Sequence, residues 1–195
     1  NQYFPSHFAF RFVLTVSAIL FFVLITTYAN RREEAFHDGL TQVLNKRRFE
    51  KYVKTRLKNQ ESKDTLLMID INDFKIINDK YGHAVGDYVL IVISERLRKL
   101  VRKTDKVGRV GGDEFMVYLH DILSEEHVVA IVRDMHERLS QPMLYQGDRL
   151  NVTVSIGWSL TRSGTTFEEL YSLVDEKMYQ EKCKSKDFSL SEKSS

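Results

Sequence analysis

Apolar residues follow three patterns along this chain. The first is a mostly apolar run, Phe12 to Ala29, FVLTVSAILFFVLITTYA, with no charged side chain in 18 residues. A spanning helix needs about 20 mostly apolar residues. Extension back through FAFR adds length and includes Arg11, whose stem can snorkel to the interface. Tyr28 and the phenylalanines suit interfacial positions. Arg31 and Arg32 favour a cytoplasmic C-terminal flank, against a weaker vote from His7 and Arg11. The run predicts a transmembrane helix over residues 1–30 with its flank. The alternatives are a signal peptide, which has a shorter apolar core and a small-residue cleavage site, and a buried core helix.

The second pattern has the period of a helix. Leu44, Phe49, Tyr52, Val53 and Leu57 fall on one face, with Thr41 as the expected cap. GDYVLIVISERLRKLV carries Leu90, Ile93, Leu97 and Leu100 on one stripe. SEEHVVAIVRDMHERLS opens at Ser124 as N-cap, with acids in its first turn. Thr166 and Glu169 form a capping box for a last helix through Tyr179. The third pattern is that of strands. TLLMIDI is a short buried run ending in acid. KVGRV and FMVYL flank Gly111-Gly112 as a hairpin, and LNVTVSIGWSL alternates. The order of elements predicts a central sheet with helices packed on it. Residues 31–37 read as a short helical connector, and 188–195 as a disordered polar tail.

Composition narrows the class. With Lys+Arg 29 against Asp+Glu 27 there is no broad electrostatic footprint for nucleic acid. Cys183 is the only cysteine, which excludes an internal disulfide framework and fits a reducing compartment. The 195 residues suit one domain plus an appendage. The chain begins at Asn1 rather than Met, so a fragment or a processed product is expected.

The candidate chemistry lies at strand ends. Asp70 closes one strand, and Asp113 and Glu114 follow the two glycines. Carboxylates a few ångströms apart repel when both are ionised. A divalent cation removes that cost, and hard oxygen ligands with some water suit Mg²⁺. The bland alternative is a hairpin tip with solvated acids. Between these points DINDFKIINDKYGHAVGDYVL concentrates acids and amides around Lys75, Asn78, His83 and Asp87. Lys75 could meet a phosphate, and Asn78 and Asp87 a base edge. Taken singly, Lys75 reads as solvated and His83 as a turn or cap residue.

RVGGDEF and DINDFKIINDKYGHAVGD, preceded by DGLTQVLNKRRF and followed by VTVSIG, resemble the GGDEF-domain diguanylate cyclases over Asp38 to Lys186. The resemblance implies an α/β (α+β) fold, with a central, mostly antiparallel five-stranded sheet surrounded by helices, akin to nucleotidyl cyclases and the polymerase palm. The catalytic domain would span 38–187. The implied reaction condenses two GTP into cyclic di-GMP, with Mg²⁺ (or Mn²⁺ as substitute) as cofactor. It implies that Asp70, Asp113 and the carbonyl of Ile71 hold metal, that Glu114 is general base or metal-side helper, and that Lys75 steadies phosphoryl charge. Asn78, His83 and Asp87 would contact the nucleotide, and Lys182 and Lys186 the terminal phosphates. Arg102 and Asp105, an RxxD pair before the hairpin, would form an inhibitory product site; a helix-end ion pair is the alternative. Each domain holds one GTP, so a homodimer is the expected active form, at the inner membrane with the catalytic domain in the cytoplasm. Asn72, Ser185 and Lys186 depart from the family pattern, and the last two put phosphate binding there in question.

Two rival functions remain at this point. One is a non-catalytic receptor for cyclic di-GMP or GTP, against which the intact GGDEF motif and Asp70 argue. The other is a synthase of mixed adenine–guanine dinucleotides. Asp87 argues against that, because a carboxylate accepts from guanine N1–H and N2–H₂ and meets only an acceptor at adenine N1.

Overall fold

The computed structural model describes residues 6–34, 36–58, 63–122 and 124–192. The chain divides into two units, residues 1–36 and 37–195. In the first, helix α1 (Ser6–Glu34) contains the window Ala9–Thr26, with mean hydropathy 2.3 and no buried share. Among the described residues this is the one helix long and apolar enough to cross a membrane.

The second unit is a three-layer α/β structure. Its sheet has the order β1-β3-β4-β2-β7, from β1 (Leu44–Asn45), β2 (Thr65–Ile71), β3 (Lys106–Arg109), β4 (Glu114–Leu119) and β7 (Val154–Leu160). Five strands were expected, but the sheet is mixed rather than mostly antiparallel. Strand β1 runs parallel to β3, while β3–β4, β4–β2 and β2–β7 pair antiparallel. A separate hairpin joins β5 (Met143–Tyr145) to β6 (Asp148–Leu150).

Side chains alternate across the pleat, so each strand feeds two cores. Leu67, Ile69, Phe115, Val117 and Ile156 face α4 (His83–Leu100) and α5 (Glu125–Leu139). Leu66, Met68, Met116 and Tyr118 face α2 (Lys46–Leu57) and α6 (Phe167–Glu192). Strand β2 is buried along its whole length, because helices cover both faces. Helix α6 lies close on β7: a Cβ at Gly157 would strike the Val174 carbonyl and the Met178 backbone, and would sit 2.8 Å from Met178 Cβ.

Several boundaries differ from expectation. The helix expected from Thr41 starts at Lys46, capped by Asn45, whose side chain accepts from Arg48 N. Thr41 instead donates to Asp38 through its amide and hydroxyl, closing a turn, and Leu44 enters β1. Helix α3 (Phe74–Tyr81) and the start of α4 at His83 occupy the stretch read only as dense polar chemistry. The Ser124 cap forms, with its Oγ accepting from His127 N. The capping box forms too: Glu169 N donates to Thr166 Oγ1 and Thr166 N to Glu169 Oε2. From it α6 runs to Glu192, past the expected end at Tyr179 and into the stretch expected to fray.

Candidate active site

Two strand ends meet as the sequence suggested. Asp70 and Glu114 are register partners on β2 and β4, so both side chains emerge on the face covered by α2 and α6. Asp113 lies one residue earlier, off the strand, and its carbonyl accepts from Ile71 N at 3.3 Å. Asp70 is buried at 5% exposure. Lys182, 112 positions away on α6, donates to its Oδ1 at 2.5 Å. Lys182 thus stands as a counter-ion to the Asp70 carboxylate.

The electrostatics are strained around Glu114. Burial pushes its carboxyl pKa up, and the charges of Asp113, Asp70 and Asp175 push it further, with only Lys46 opposing. Its carboxylate lies over Gly111, where a Cβ would collide with Oε2. No three His, Cys, Asp or Glu side chains gather into a metal-holding group among the described residues. Asp70, Asp113 and the Ile71 carbonyl would supply hard oxygen donors to a metal ion. This donor set, and the carboxylate repulsion that raises Glu114, fit a hard divalent cation.

The nucleotide candidates cluster in the elbow between α3 and α4. Asn78 packs against Gly86, where a Cβ would strike its amide oxygen. Asp87 follows Gly86 and is exposed, as are His83 at the start of α4 and Lys75 in the first turn of α3. Asn72, where an acid was the family expectation, ties the elbow to the sheet: it donates to Thr153 Oγ1 and accepts from Ser155 Oγ. The side chains of Ser185 and Lys186 lie outside the described residues, although α6 passes through both positions.

The RxxD turn is elsewhere, at the other end of β3 and roughly 15 Å along the strand from the acids. Arg102 is exposed, but Asp105 is buried at 8% exposure, and its two oxygens accept from Arg102 N and His120 N. The expected pair is thus one accessible guanidinium and one carboxylate that already holds backbone.

Three groups escaped the sequence reading. Asp38 accepts from Arg109 Nη1 at 3.1 Å, and Arg109 donates through Nε and Nη2 to the Gly112 carbonyl, so DGLT braces the acidic hairpin. Burial raises the Asp38 pKa, but hydrogen bonds from Thr41 and Arg109 outweigh it and hold the carboxyl below its ordinary value. Asp175 lies two helical turns before Lys182, a spacing visible in the sequence. Glu181, discussed below, has no local signal.

Comparison with known proteins bears on the family and the fold. The sequence model of the family described as "Diguanylate cyclase, GGDEF domain" matches residues 35–187. A relative from Escherichia coli (strain K12), diguanylate cyclase DgcN, is 38% identical over 151 residues, which is 76% of this chain and 37% of that protein. The chain spans 24–37% of the length of the first curated relatives it matches. A sensory box/GGDEF family protein from Caulobacter crescentus superposes with a TM-score of 0.71 at 31% identity, covering 76% of this chain and 98% of that one. The coiled coil and GGDEF domain of DgcB from Caulobacter crescentus, solved with c-di-GMP, gives 0.82 at 21% identity, covering 88% and 93% respectively, a likeness of fold.

Proposed function

The chain belongs to the GGDEF diguanylate cyclase domain family, and on that premise we propose that it condenses two GTP into cyclic di-GMP. Each 3′-oxygen attacks the α-phosphorus of the other nucleotide. Each Pα–O–Pβ bond breaks, and two pyrophosphates leave. The observation that carries this reading is the register pairing of Asp70 with Glu114, beside Asp113 and within reach of Lys182.

Asp70, Asp113 and the Ile71 carbonyl would hold Mg²⁺, or Mn²⁺ as a substitute, which would supply neutralisation of phosphate charge and a lowered pKa of the attacking hydroxyl. Glu114, the register partner of Asp70, is the general base or assists at the metal. Asn78 and Asp87 read the guanine edge, the carboxylate accepting from N1–H and N2–H₂. His83 contacts the same nucleotide, and Lys75 steadies charge on the phosphoryl group. Lys182 and Lys186 take the terminal phosphates, so Lys182 exchanges Asp70 for phosphate as substrate and metal enter.

One domain presents one nucleotide, so turnover belongs to a homodimer with two sites facing each other. Cyclic di-GMP feeds back through Arg102, with Asp105 shaping the turn that presents it. Residues 1–30 anchor the chain in the inner membrane, 31–37 connect them to the catalytic domain at 38–187 in the cytoplasm, and 188–195 trail beyond it. The apolar window of α1 supports the anchor. Asp70→Asn and Asp113→Asn are expected to abolish product formation from GTP with the circular dichroism of the folded chain retained. Wild-type turnover in either, at saturating metal, refutes the site.

A further inference from the structure

Strand β7 is the last strand of its sheet, with no strand hydrogen-bonded on its outer side among the described residues. Such an edge presents amides and carbonyls in search of partners. Two α6 side chains meet it. Lys177 Nζ donates to the Trp158 carbonyl at 3.0 Å, and Glu181 Oε2 accepts from Ile156 N at 2.5 Å. The spacings match. Four helical residues advance about 6 Å, and two strand residues about 6.7 Å. Alternate residues of an antiparallel edge face outward, so a one-residue slip of α6 loses both contacts, and a two-residue slip would bring the side chain of Ser155 or Ser159 to the close approach that Gly157 allows.

The second carboxylate oxygen reaches round the edge. Glu181 Oε1 lies 2.8 Å from His136 Nε2 on α5, the helix layer on the other side of the sheet. One side chain thus ties α6, β7 and α5 together. Its position bears on the site. Ser155, next to Ile156, is the register partner of Asp70, and Lys182, next to Glu181, is the residue that meets Asp70. The close approach of α6 at Gly157 lies between the two rungs.

We propose that Glu181 is a positioning residue, which with Lys177 fixes the register of α6 on the β7 edge so that Lys182 arrives at the phosphate end of the site. The proposal rests on the nucleotide reading of that site. Its test is a double-mutant cycle on the full chain in detergent, reading Kd for 3′-deoxy-GTP with Mg²⁺, a nucleotide that binds but lacks the attacking hydroxyl. Glu181→Ala is expected to weaken binding about tenfold, and Glu181→Gln, which keeps an acceptor for the Ile156 amide, to recover most of that loss. In a Lys182→Ala background, Glu181→Ala is expected to add less than about twofold, because residues acting through one another are not additive. Full tenfold effects in both backgrounds, or an unaltered Kd in Glu181→Ala, overturn the proposal. If the wild-type chain binds no nucleotide, the cyclase reading fails instead. The same cycle is then read as melting temperature without ligand, where strictly additive shifts overturn the register clamp.

Discussion

Gly86→Ala separates nucleotide reading from stability. In the structure the added methyl would strike the Asn78 amide oxygen, 3.0 Å from Asn78 Cγ and 3.2 Å from Phe74 Cζ. Asn78 is the flexible partner and must turn away from the elbow. The guanine then loses hydrogen bonds while its own groups are desolvated, a cost of about 1–3 kcal/mol. At 1.4 kcal/mol per tenfold, the middle of that range is a KM for GTP raised about 30-fold. The fold feels opposing effects. Crowding costs about 1–3 kcal/mol, and replacing a helical glycine returns up to about 1 kcal/mol. The melting temperature should fall by only a few degrees. Pyrophosphate release against GTP concentration gives KM, and a thermal melt gives the control. The double variant Asn78→Ala/Gly86→Ala should be no worse in KM than Asn78→Ala alone. A KM within twofold of wild type in Gly86→Ala, or additive losses in the double variant, would show that Asn78 does not read the base.

Asp38→Asn should destabilise the chain at neutral pH, with the deficit vanishing as pH falls below about 4. The folded carboxyl is held below its unfolded value, so its contribution is present above the unfolded pKa and is lost as pH falls through the folded one; a pH-independent deficit in thermal melts contradicts this. Arg102→Ala should relieve inhibition by added cyclic di-GMP with little change in initial rate, whereas Asp105→Ala should lower the melting temperature because two backbone amides lose their acceptor; equal melts for the two variants would refute the division of roles. The full chain should sediment with membranes, and deletion through Ala29 should release a domain whose specific activity rises with its concentration; activity independent of concentration where sizing shows monomer argues against a dimeric active form.

The placement of the candidate residues was legible where acids sit at the end of a regular element. Asp70 and Glu114 could be placed because buried β2 and β4 have clear apolar runs that stop at acids, and antiparallel pairing brings such ends together. Helix α3 was hidden for the opposite reason. It is only eight residues long and buries none of them fully, so its short stripe of Phe74 and Ile77 on the core is masked by the acids and amides around it. Thr41 misled because the same residue type that caps a helix also closes an Asp-led turn, and Asn45 had the better position. The β5–β6 hairpin has only three residues on each strand, too few to show alternation. Lys182 on Asp70 and Glu181 on Ile156 are unions of residues 112 and 25 positions apart, set by how α6 lies on the sheet. Local pattern gives no access to them.

The central claim is that this chain makes a cyclic dinucleotide from GTP at the Asp70–Asp113–Glu114 cluster. The most direct test incubates the full chain in detergent with GTP and Mg²⁺ and resolves the products by chromatography with mass detection. Cyclic di-GMP with two pyrophosphates per product is expected from the wild type, and neither from Glu114→Gln. Unreacted GTP under conditions where the wild-type chain is folded and binds the nucleotide, or undiminished cyclic di-GMP from Glu114→Gln, would contradict it.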